Sequence, residues 1–465
     1  MDMKICVMGL GYIGFPTACL MAQAGHQVVG VDVNEAVVQG LQKGQLHIVG
    51  EEGLADVARA VLASGALAVS TSPVEADAFI ICVPTPVKAP EKTAVVGEMS
   101  DDEAAVAFAQ VAATNETNGA ALSNSLEANR PKVDLSYVEA AVHAIGPVVR
   151  PGNLVIVEST VPPGTTEQVV LPILESYGLK REQVLLAHAP ERVIPGAIMH
   201  EMIANDRVVG GLTPEATEAA KELYETVVAG QVLTTDATTA EFVKLIENTY
   251  RDVNIALANE LARVAEYLGI DVQQSIAMAN RHPRVNILNP GPGVGGHCIP
   301  VDPYFLIERA SHLTPLMQAA RAVNSGMIDH VVNLVDKLSN EQSLHRWVIL
   351  GAAYKADVGD ERNSPSLEIA NRLASRGFSI SIHDPYIERF NRPIEKLISG
   401  AEGLLLITDH SMYLELDPSN IGDLMARRFL VDTRLCFDAH VWREHGFVVL
   451  RLGDGRSVHS GVRTG

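Results

Sequence analysis

A glycine-rich stretch that leads to a cysteine is the part of this 465-residue sequence best suited to chemistry. Gly291–Asp302 reads Gly-Pro-Gly-Val-Gly-Gly-His-Cys-Ile-Pro-Val-Asp, with four glycines in six positions. Glycine lets a ligand approach the main chain closely, and such a run does not suit a helix interior or a strand. Cys298 is a candidate nucleophile because polar, partly open surroundings favour the thiolate. A glycine turn with a buried structural cysteine is the alternative interpretation.

A second candidate site is a dinucleotide fingerprint near the N-terminus. Gly9-Leu10-Gly11-Tyr12-Ile13-Gly14 lies between the apolar run Lys4–Met8 and the helical stretch Pro16–Ala24. The glycines permit a tight turn, approach of a pyrophosphate and close helix–strand packing, and amides at the helix N-terminus hold phosphate charge. Asp32 follows the predicted strand Gln27–Val31 and would bind the adenosine ribose and repel a 2′-phosphate. We therefore predict binding of NAD rather than NADP.

Polar residues follow three further apolar runs. Thr85 comes after Ala78–Val83, and Thr160 comes after Leu154–Glu158. Because ligands bind outside the carboxyl ends of parallel strands, both threonines are candidates for cofactor contact, with an ordinary helix N-cap as the alternative. The dipeptide Glu191-Arg192 comes after a third run, Val184–Ala187, and is interpreted either as a surface ion pair or as part of the site.

A long helix is predicted in the middle of the chain. Thr238–Leu268 has apolar residues at helical spacing and contains no Gly or Pro. Lys244 and Asn248 are four residues apart and so share one face, which is either functional or a solvated polar stripe. A helix of this length joins domains and offers a face to a second subunit.

Several cations lie beside predicted loops and strand ends. A planar guanidinium suits phosphate recognition, so contact with a diphosphate is one interpretation and ordinary surface charge is the other. These cations are Arg281, Arg284, Lys355, Arg362 and Arg434.

The fold class predicted from these patterns is α/β, with two Rossmann-like open sheets joined by a central helical domain that contains one long helix. We expect an NAD-binding domain at 1–212, a helical domain at 213–325 and a second Rossmann-like domain at 326–465. An alanine- and asparagine-rich insertion at about 87–133 is expected to be mobile, with a possible helix at Ala104–Ala113. Residues from Gly453 onward are expected to form a frayed tail.

Composition excludes several classes of function. A net charge of −20 argues against nucleic-acid partners and anionic membrane surfaces. Five scattered cysteines without a CxxC motif indicate neither a disulfide framework nor a metal site. Because the sequence shows no signal peptide and no membrane-length apolar run, we expect a cytoplasmic protein.

Together these motifs resemble the UDP-glucose/GDP-mannose dehydrogenase family, the nucleotide-sugar 6-dehydrogenases, over nearly the whole chain. The resemblance is carried by Gly9–Gly14, Glu158-Ser159-Thr160, Pro190-Glu191-Arg192, Lys244–Asn248, Gly291–Asp302, and Lys355 with Arg362. A narrower set is similar to the UDP-N-acetylhexosamine branch, namely Leu46-His47-Ile48, Tyr250–Asn254, Arg281–Asn286 and His297–Pro303.

The resemblance implies an NAD-dependent, four-electron oxidation of the C6 hydroxyl of a UDP-N-acetylhexosamine to the uronate, for polysaccharide precursor synthesis. Cys298 would hold the half-oxidised sugar as a thiohemiacetal and then as a thioester. Lys244 would stabilise the oxyanion or relay protons, and Asn248 would donate a hydrogen bond. Asp302 would orient the hydrolytic water.

The resemblance also implies the ligand contacts. Arg362 would meet the NAD phosphates, and Arg284 would come from the neighbouring subunit of a homodimer formed through the long helix. The implied substrate contacts are Arg192, Val193, Lys244, Asn248, Arg251, His282, Arg284, Gly295, Tyr354, Lys355 and Arg434.

Three alternative functions remain open at this point. The same chemistry could act on UDP-N-acetylglucosamine, UDP-glucose or GDP-mannose, which a panel of nucleotide sugars would distinguish. A simple hydroxyacid dehydrogenase would produce one NADH per substrate rather than two. A non-catalytic NAD-binding sensor would turn over no nucleotide sugar, but it would have no use for Gly291–Asp302 together with Lys244.

Overall fold

The computed structural model describes residues 2–48, 50–88 and 132–456, which fall into two compact units. The N-terminal unit comprises Met1–Lys244 and Tyr304–Ser311, and the C-terminal unit comprises Leu245–Pro303 and His312–Gly465. The helix predicted at 104–113 and most of the insertion lie outside the described residues. As predicted, the fold is α/β with two parallel-rich sheets and a central helical region.

The N-terminal unit is built on an eight-stranded sheet with the order β3-β2-β1-β4-β7-β8-β9-β10. All neighbouring strands are parallel except β8 and β9. The strands are β1 Lys4–Met8, β2 Gln27–Val31, β3 Leu67–Ser70, β4 Ala78–Ile81, β7 Leu154–Val157, β8 Leu185–His188, β9 Arg207–Gly211 and β10 Val232–Asp236; a separate antiparallel pair is β5 Val87–Lys88 and β6 Lys132–Val133.

Strand order reverses between β1 and β4, and ligands of open α/β sheets bind at such a switch point. The central strands are buried on both faces, which explains their continuous apolar runs. Side chains that alternate along β1 enter two separate cores, with Ile5 and Val7 in one and Cys6 and Met8 in the other.

Helices cover both faces of this sheet. Asn34 accepts a hydrogen bond from Ala36 N at the start of α2, and Thr213 caps α7 through Ala216 N, so both helices begin at side chains suited to N-caps. The helices are α1 Gly14–Gln23, α2 Glu35–Gln42, α3 Leu54–Ser64, α4 Ser136–Ile145, α5 Leu171–Ser176, α6 Ile198–Ala204 and α7 Pro214–Tyr224; a π-helical turn, Thr166–Val170, precedes α5 and a 3-10 turn lies at Arg181–Gln183.

The predicted long helix is α8, Ala237–Leu268, and the division between the two units falls within it, after Lys244. Glu241, Asn248, Asp252, Asn259 and Glu266 recur at intervals of seven and four residues. At about 100° per residue these spacings place the five polar side chains on one helix face. Four of them are buried and Asn248 is half-buried.

A second open sheet organises the C-terminal unit, with the order β12-β11-β13-β14-β15 and every neighbouring pair parallel. Its switch point therefore lies between β11 and β13. The strands are β11 Arg346–Leu350, β12 Ser379–His383, β13 Gly403–Leu406, β14 Phe429–Asp432 and β15 Val448–Arg451.

The helices that follow α8 are mostly short. They are α9 Val272–Ala279, α10 Asp302–Arg309, α11 Pro315–Gln342, α12 Pro365–Ser375, α13 Ile394–Ile398, α14 Ser411–Leu414, α15 Pro418–Leu424 and α16 Ala439–Glu444, with 3-10 turns at Ser311–Leu313 and Glu388–Phe390. Residues 281–301, between α9 and α10, contain no helix or strand and include the glycine-rich stretch.

The prediction of a frayed tail from Gly453 is wrong for the part that the structure describes. Gly453 N donates to Glu266 Oε1 at 2.7 Å, and Gly453 O accepts from Val272 N. Gly455 N donates to Ile270 O, so the segment packs beside the end of α8. The sequence offers no apolar pattern here because the contacts are made by glycine backbone.

Among the described residues, no helix combines the length and the apolarity that crossing a bilayer requires.

Gly453→Ala should destabilise the C-terminal unit more than Gly269→Ala. The two glycines have similar positive φ angles, 74° and 71°, so both substitutions carry the left-handed cost of about 1–2 kcal/mol. A Cβ at Gly453 would lie 2.3 Å from Val272 Cγ1, whereas one at Gly269 would meet nothing within 4 Å. Overpacking adds about 1–3 kcal/mol. Scanning calorimetry of the two variants measures this difference, and equal shifts of the unfolding temperature would contradict the docked tail.

Candidate active site

The dinucleotide fingerprint of the N-terminal unit has the geometry that its glycines require. Gly9 has φ +92°, and a Cβ there would lie 2.6 Å from Cys82 O; a Cβ on Gly14 would lie 1.9 Å from Gly9 O. Gly11 differs from both, because it is exposed and a Cβ on it would meet no protein atom within 4 Å. The first and third glycines are thus needed for packing, and the second keeps open a space beside the loop.

Asp32 lies where a ribose would be bound. Its carboxylate accepts hydrogen bonds from Leu10 N at 2.9 Å and Asn34 N at 2.8 Å, which fix it against the glycine loop at the carboxyl end of β2. His47 Nε2 lies 2.6 Å from Leu10 O and holds the same loop residue from the other side. No described side chain caps the N-terminus of α1. The open space at Gly11, the half-exposed Asp32 and the backbone amides at the N-terminus of α1 together fit a dinucleotide.

Thr85 and Thr160 follow neighbouring strands, β4 and β7, at the edge where the glycine loop lies. Ser159 joins the two strand ends, since its Oγ accepts from Val83 N at 2.8 Å and lies 3.2 Å from Ile81 O. Both threonines are half-buried, and the structure brings them to the same edge as the fingerprint.

Glu191 does not form the surface ion pair that was one interpretation of Glu191-Arg192. It is buried and pairs with Arg207, whose guanidinium also pairs with Glu158. Burial raises the pKa of Glu191. Burial acts to lower the pKa of Arg207, but its interactions with Glu191, Tyr224 and Glu158 together raise that pKa. Arg192 is half-buried; its side chain donates to Asp206 O and its backbone N donates to Glu191 Oε1.

The segment that carries Arg192 and Val193 is held by a second buried carboxylate. Glu51 accepts hydrogen bonds from Gly196 N at 2.7 Å and Ile198 N at 3.1 Å, at the start of α6. Val193 is half-buried against the first core. The two predicted substrate contacts therefore lie on a loop fixed at both ends.

Lys244 lies in the N-terminal unit, half-buried, on the first turns of α8. Burial is the main reason that the pKa of His188 is lowered to about 3, and the charges of Lys244 and Arg207 add to this shift. One turn earlier, Glu241 accepts hydrogen bonds from Gly164 N, Thr166 N and Thr166 Oγ1 at 2.5–2.7 Å. This carboxylate fastens the start of α8 to the loop that follows Thr160.

In the C-terminal unit, Cys298, Asp302 and Asn248 are connected by hydrogen bonds. Cys298 O accepts from Asp302 N at 2.8 Å, in the turn that opens α10. Asn248 Nδ2 donates to Asp302 Oδ2 at 2.6 Å. Asp302 is buried, and Cys298 as a residue is half-buried. The segment thus offers a thiol, an amide and a carboxylate, the groups that a covalent oxidation at carbon requires.

The other four cysteines have less suitable surroundings. Burial raises the pKa of Cys6 to about 11 and that of Cys19 to about 12. Burial, with Asp432 and Asp409, raises the pKa of Cys436 to about 12. The pKa of Cys82 is also raised, by burial and by Glu158, whose Oε2 accepts a hydrogen bond from Cys82 Sγ. These thiols stay protonated at neutral pH and are poor nucleophiles.

Predicted substrate contacts gather at the switch point of the second sheet. Gly351 follows β11 with φ +93°, and a Cβ there would lie 2.3 Å from Thr408 Cβ beyond β13, so only glycine fits. Tyr354 and Lys355 follow in the same loop and are half-buried. Arg434, after β14, donates to Asp409 Oδ1 at 3.0 Å. Lys355 and Arg434 are cations of the kind that can bind a diphosphate.

The remaining predicted contacts are distributed over the C-terminal unit. A Cβ on Gly295 would lie 2.5 Å from Tyr354 Cβ, so the glycine stretch and the Tyr354 loop touch. Arg362 is exposed and forms an ion pair with Asp360, with Nη2 and Oδ2 2.6 Å apart. Exposed side chains are also found at Arg251, His282 and Arg284.

Sequence analysis missed the buried polar residues that hold these loops. Asn259 is fully buried; its Oδ1 accepts from Gly291 N at 2.9 Å and its Nδ2 donates to Asn324 Oδ1. Asn324 in turn donates to Asp252, which also pairs with Arg321. The only signal for Asn259 is a polar residue that shares a helix face with Ala258 and Ala262, and the only signal for Arg207 is a charge at the start of an apolar strand.

Sequence profiles of one family match most of the chain. The profile of the NAD-binding domain of the UDP-glucose/GDP-mannose dehydrogenase family matches residues 3–107 and 94–228. The profile of the central domain matches residues 238–326, and that of the UDP-binding domain matches residues 348–439.

Individual relatives agree with the profiles. The chain is 41% identical to a UDP-N-acetyl-D-mannosamine dehydrogenase from Methanococcus maripaludis, over 97% of both chains. It is 38% identical to an NDP-N-acetyl-D-galactosaminuronic acid dehydrogenase from Ralstonia nicotianae, over 92% of this chain and 95% of the relative. The solved structure of UDP-D-ManNAc dehydrogenase from Pyrococcus horikoshii is similar with a TM-score of 0.83 and 36% identity, covering 98% of this chain and all of the other.

Gly11→Ala should weaken NAD binding and leave the stability of the protein unchanged. The added methyl meets no protein atom within 4 Å but occupies the space beside the loop that the pyrophosphate needs. We expect the Kd for NAD to rise about tenfold or more, which is about 1.4 kcal/mol. Calorimetric titration and thermal unfolding measure the two effects. Gly14→Ala is the matched control and should instead lower the unfolding temperature, because its methyl overlaps Gly9 O; unchanged NAD affinity in Gly11→Ala would place the cofactor elsewhere.

Proposed function

Because the chain belongs to the UDP-glucose/GDP-mannose dehydrogenase family, we propose that it oxidises the C6 alcohol of UDP-N-acetyl-D-mannosamine to the uronate through a covalent Cys298 intermediate. The protein is an NAD-dependent nucleotide-sugar 6-dehydrogenase. The sugar, the covalent mechanism and a role in polysaccharide precursor synthesis are the proposal. We also propose the domain boundaries 1–212, 213–325 and 326–465.

One observation carries the covalent mechanism. Cys298 is half-buried in a loop whose next turn is tied to it by Asp302 N, and Asp302 is itself bonded to Asn248. A hydroxyacid dehydrogenase that removes only two electrons needs no nucleophile beside the reacting carbon. The position of Cys298 in the turn that leads to Asp302, which is itself bonded to Asn248, therefore supports the four-electron reaction.

The chemistry at Cys298 balances with water as the only co-reactant besides NAD. When bound, NAD accepts one hydride per molecule, so two molecules are consumed per uronate. The thiolate adds to C6 of the aldehyde, and the new C–S bond gives a thiohemiacetal. Loss of a second hydride and a proton from that adduct gives a thioester. Water then adds to the thioester carbon, the C–S bond breaks, and the thiol returns with release of the carboxylate.

The neighbouring residues have distinct proposed roles. The Lys244 ammonium would stabilise the alkoxide oxygen of the tetrahedral species or relay a proton to it. Asn248 Nδ2 would donate to the same oxygen, in exchange for its hydrogen bond to Asp302. The Asp302 carboxylate, released from Asn248, would orient and deprotonate the hydrolytic water.

Ligand contacts are proposed on the same basis. For the cofactor we propose Gly9, Gly11, Tyr12, Ile13, Gly14, Asp32, Thr85, Thr160 and Arg362. For the nucleotide sugar we propose Arg192, Val193, Arg251, His282, Gly295, Tyr354, Lys355 and Arg434, with Arg284 contributed by a second copy of the chain. The exposed positions of Arg251, His282 and Arg284 support their availability to a ligand.

The second candidate keeps the chemistry and changes the sugar. The Ralstonia relative, named for an N-acetylgalactosaminuronic acid, is nearly as similar as the first and also carries an N-acetylated sugar in its name. NADH formation with UDP-N-acetylmannosamine, UDP-N-acetylgalactosamine, UDP-N-acetylglucosamine, UDP-glucose and GDP-mannose distinguishes the candidates. The highest kcat/KM should fall on the mannosamine compound, and mass spectrometry should find its uronate.

Cys298→Ser should abolish uronate formation while leaving NAD affinity unchanged, because the serine hydroxyl is a far weaker nucleophile than a thiolate. NADH absorbance and product mass are measured with UDP-N-acetyl-D-mannosamine. The wild-type protein should form two NADH per uronate. Cys436→Ser is the matched control and should keep full activity. Uronate at the wild-type rate from Cys298→Ser would exclude the covalent step.

The homodimer is proposed to form through α8. Its large apolar residues lie on the face opposite the row of five buried and half-buried polar residues and are exposed in the single chain. They are Phe242, Ile246, Tyr250, Leu257, Val264 and Leu268, with Tyr267 beside them at 86% exposure. A continuous apolar stripe of this length marks a protein interface, and a second copy provides a self-complementary partner.

Leu257→Glu should convert the dimer to a monomer, because it places a charge in the middle of the apolar stripe. Sedimentation velocity over a range of concentrations measures the change. Leu233→Glu, at an equally exposed leucine of β10, is the matched control and should leave the dimer intact. A wild-type protein that sediments as a monomer at micromolar concentration would contradict this interface.

A further inference from the structure

We propose that Asn363 is a positioning residue that holds the backbone at Gly296 and thereby sets where the Cys298 thiol meets the half-oxidised sugar. Asn363 Nδ2 donates to Gly296 O at 3.0 Å, and Gly296 N donates to Arg362 O at 3.0 Å. Both peptide groups of Gly296 are therefore held by two consecutive residues of one loop. The proposal rests on the covalent role of Cys298.

Gly296 lies two residues before Cys298, in a segment without helix or strand. Gly296 has φ +87°, so its conformation is one that other residues rarely adopt. A free glycine segment samples many conformations, and the hydrogen bonds from residues 362 and 363 select one of them. On the other side of Cys298, its carbonyl is bonded to Val301 N and Asp302 N. The thiol is thus held between two anchors, and Asn363 belongs to the one that precedes it.

The loop that carries Asn363 is itself rigidly held. Tyr354 N donates to Asp360 O at 3.0 Å, and the Asp360 carboxylate pairs with Arg362. Burial acts to raise the pKa of Asp360, but the hydrogen bonds and the charge of Arg362 together outweigh it and lower that pKa. This carboxylate therefore stays charged at neutral pH. A Cβ on Gly295 would lie 3.0 Å from Asn363 O, which shows how closely the two loops approach. A displacement of residue 363 would therefore reach the glycine segment.

Asn363 also has the residue type that its backbone requires. Its φ is +50°, in the left-handed region, which Asn tolerates better than most residues. Two demands thus meet at one position, a left-handed backbone and a side-chain donor for Gly296 O. Glycine would satisfy the first demand alone, and aspartate would tolerate the backbone but present an acceptor to an acceptor. These two substitutions separate the anchor from the backbone conformation.

The test is the fate of the aldehyde in Asn363→Gly and Asn363→Asp. A thiol displaced by even 1 Å should capture the aldehyde about a hundredfold more slowly. Free aldehyde should then escape, and an aminooxy reagent in the assay should trap it as an oxime. The expected result is a ratio of NADH to uronate well above two, with the KM values for NAD and the nucleotide sugar within about twofold of wild type. Purified full-length protein and UDP-N-acetyl-D-mannosamine are used, with thermal unfolding as the check on folding.

Ser343→Gly is the matched control, because Ser343 is also left-handed, with φ +54°, and ends α11 away from the glycine segment. It should keep the wild-type ratio. A folded Asn363 variant, either Gly or Asp, that gives no oxime and keeps the wild-type ratio and kcat would overturn the positioning role. Failure of the proposed function is a different result, since wild-type protein would then form no uronate or only one NADH per product.

Discussion

A row of buried and half-buried polar side chains on one face of α8 holds the loops that carry the candidate site. Glu241 binds the amides after Thr160, Asn248 binds Asp302, and Asn259 binds the first amide of the glycine stretch. Asp252 ties the helix to α11, and Glu266 ties it to the C-terminal segment. Each contact lies within one of the two units. Loss of one partner would strand a buried polar group at a cost of about 1–3 kcal/mol, so these loops have few alternative positions.

The two sheets share one architecture, but the aspartate that follows the second strand has a different environment in each. Asp32 and Asp384 both follow the second strand of their sheet, but Asp32 is half-exposed and Asp384 is fully buried. Asp384 Oδ2 accepts from Ala352 N, Ala353 N and His410 Nε2 at 2.7–2.9 Å. Burial opposes these bonds, yet together they lower the pKa of Asp384. The Asp384 carboxylate therefore stabilises the Gly351–Lys355 loop through these hydrogen bonds and is not available to a ribose.

The sequence predicted what depends on local pattern and failed where a partner distant in sequence decides. The fingerprint, Asp32 and the extents of β1, β2, β4 and β7 follow from local spacing, and these strands agree with the predicted runs to within about two residues. The pairing of Glu191 with Arg207 could not be predicted, because no motif or spacing near either residue indicates which residue it contacts. The docking of Gly453 depends on a fit to Val272 and Ala262 that no composition rule describes. Asn363 was likewise invisible, since its importance comes from the carbonyl of Gly296.

The same polar row explains why the apolar stripe of α8 faces outward. The buried face is shared by polar anchors and by small residues, Ala240, Ala258, Ala262 and Ala265, which let neighbouring backbone come close enough for hydrogen bonds. Apart from Leu245, which is fully buried, the apolar residues of this face are alanines, and each of them contributes less hydrophobic stabilisation than a larger side chain would. The large apolar side chains lie on the opposite face, where they are exposed in the single chain. In the proposed homodimer, α8 would therefore position the loops of the candidate site through polar contacts on one face and gain hydrophobic stabilisation from association on the other.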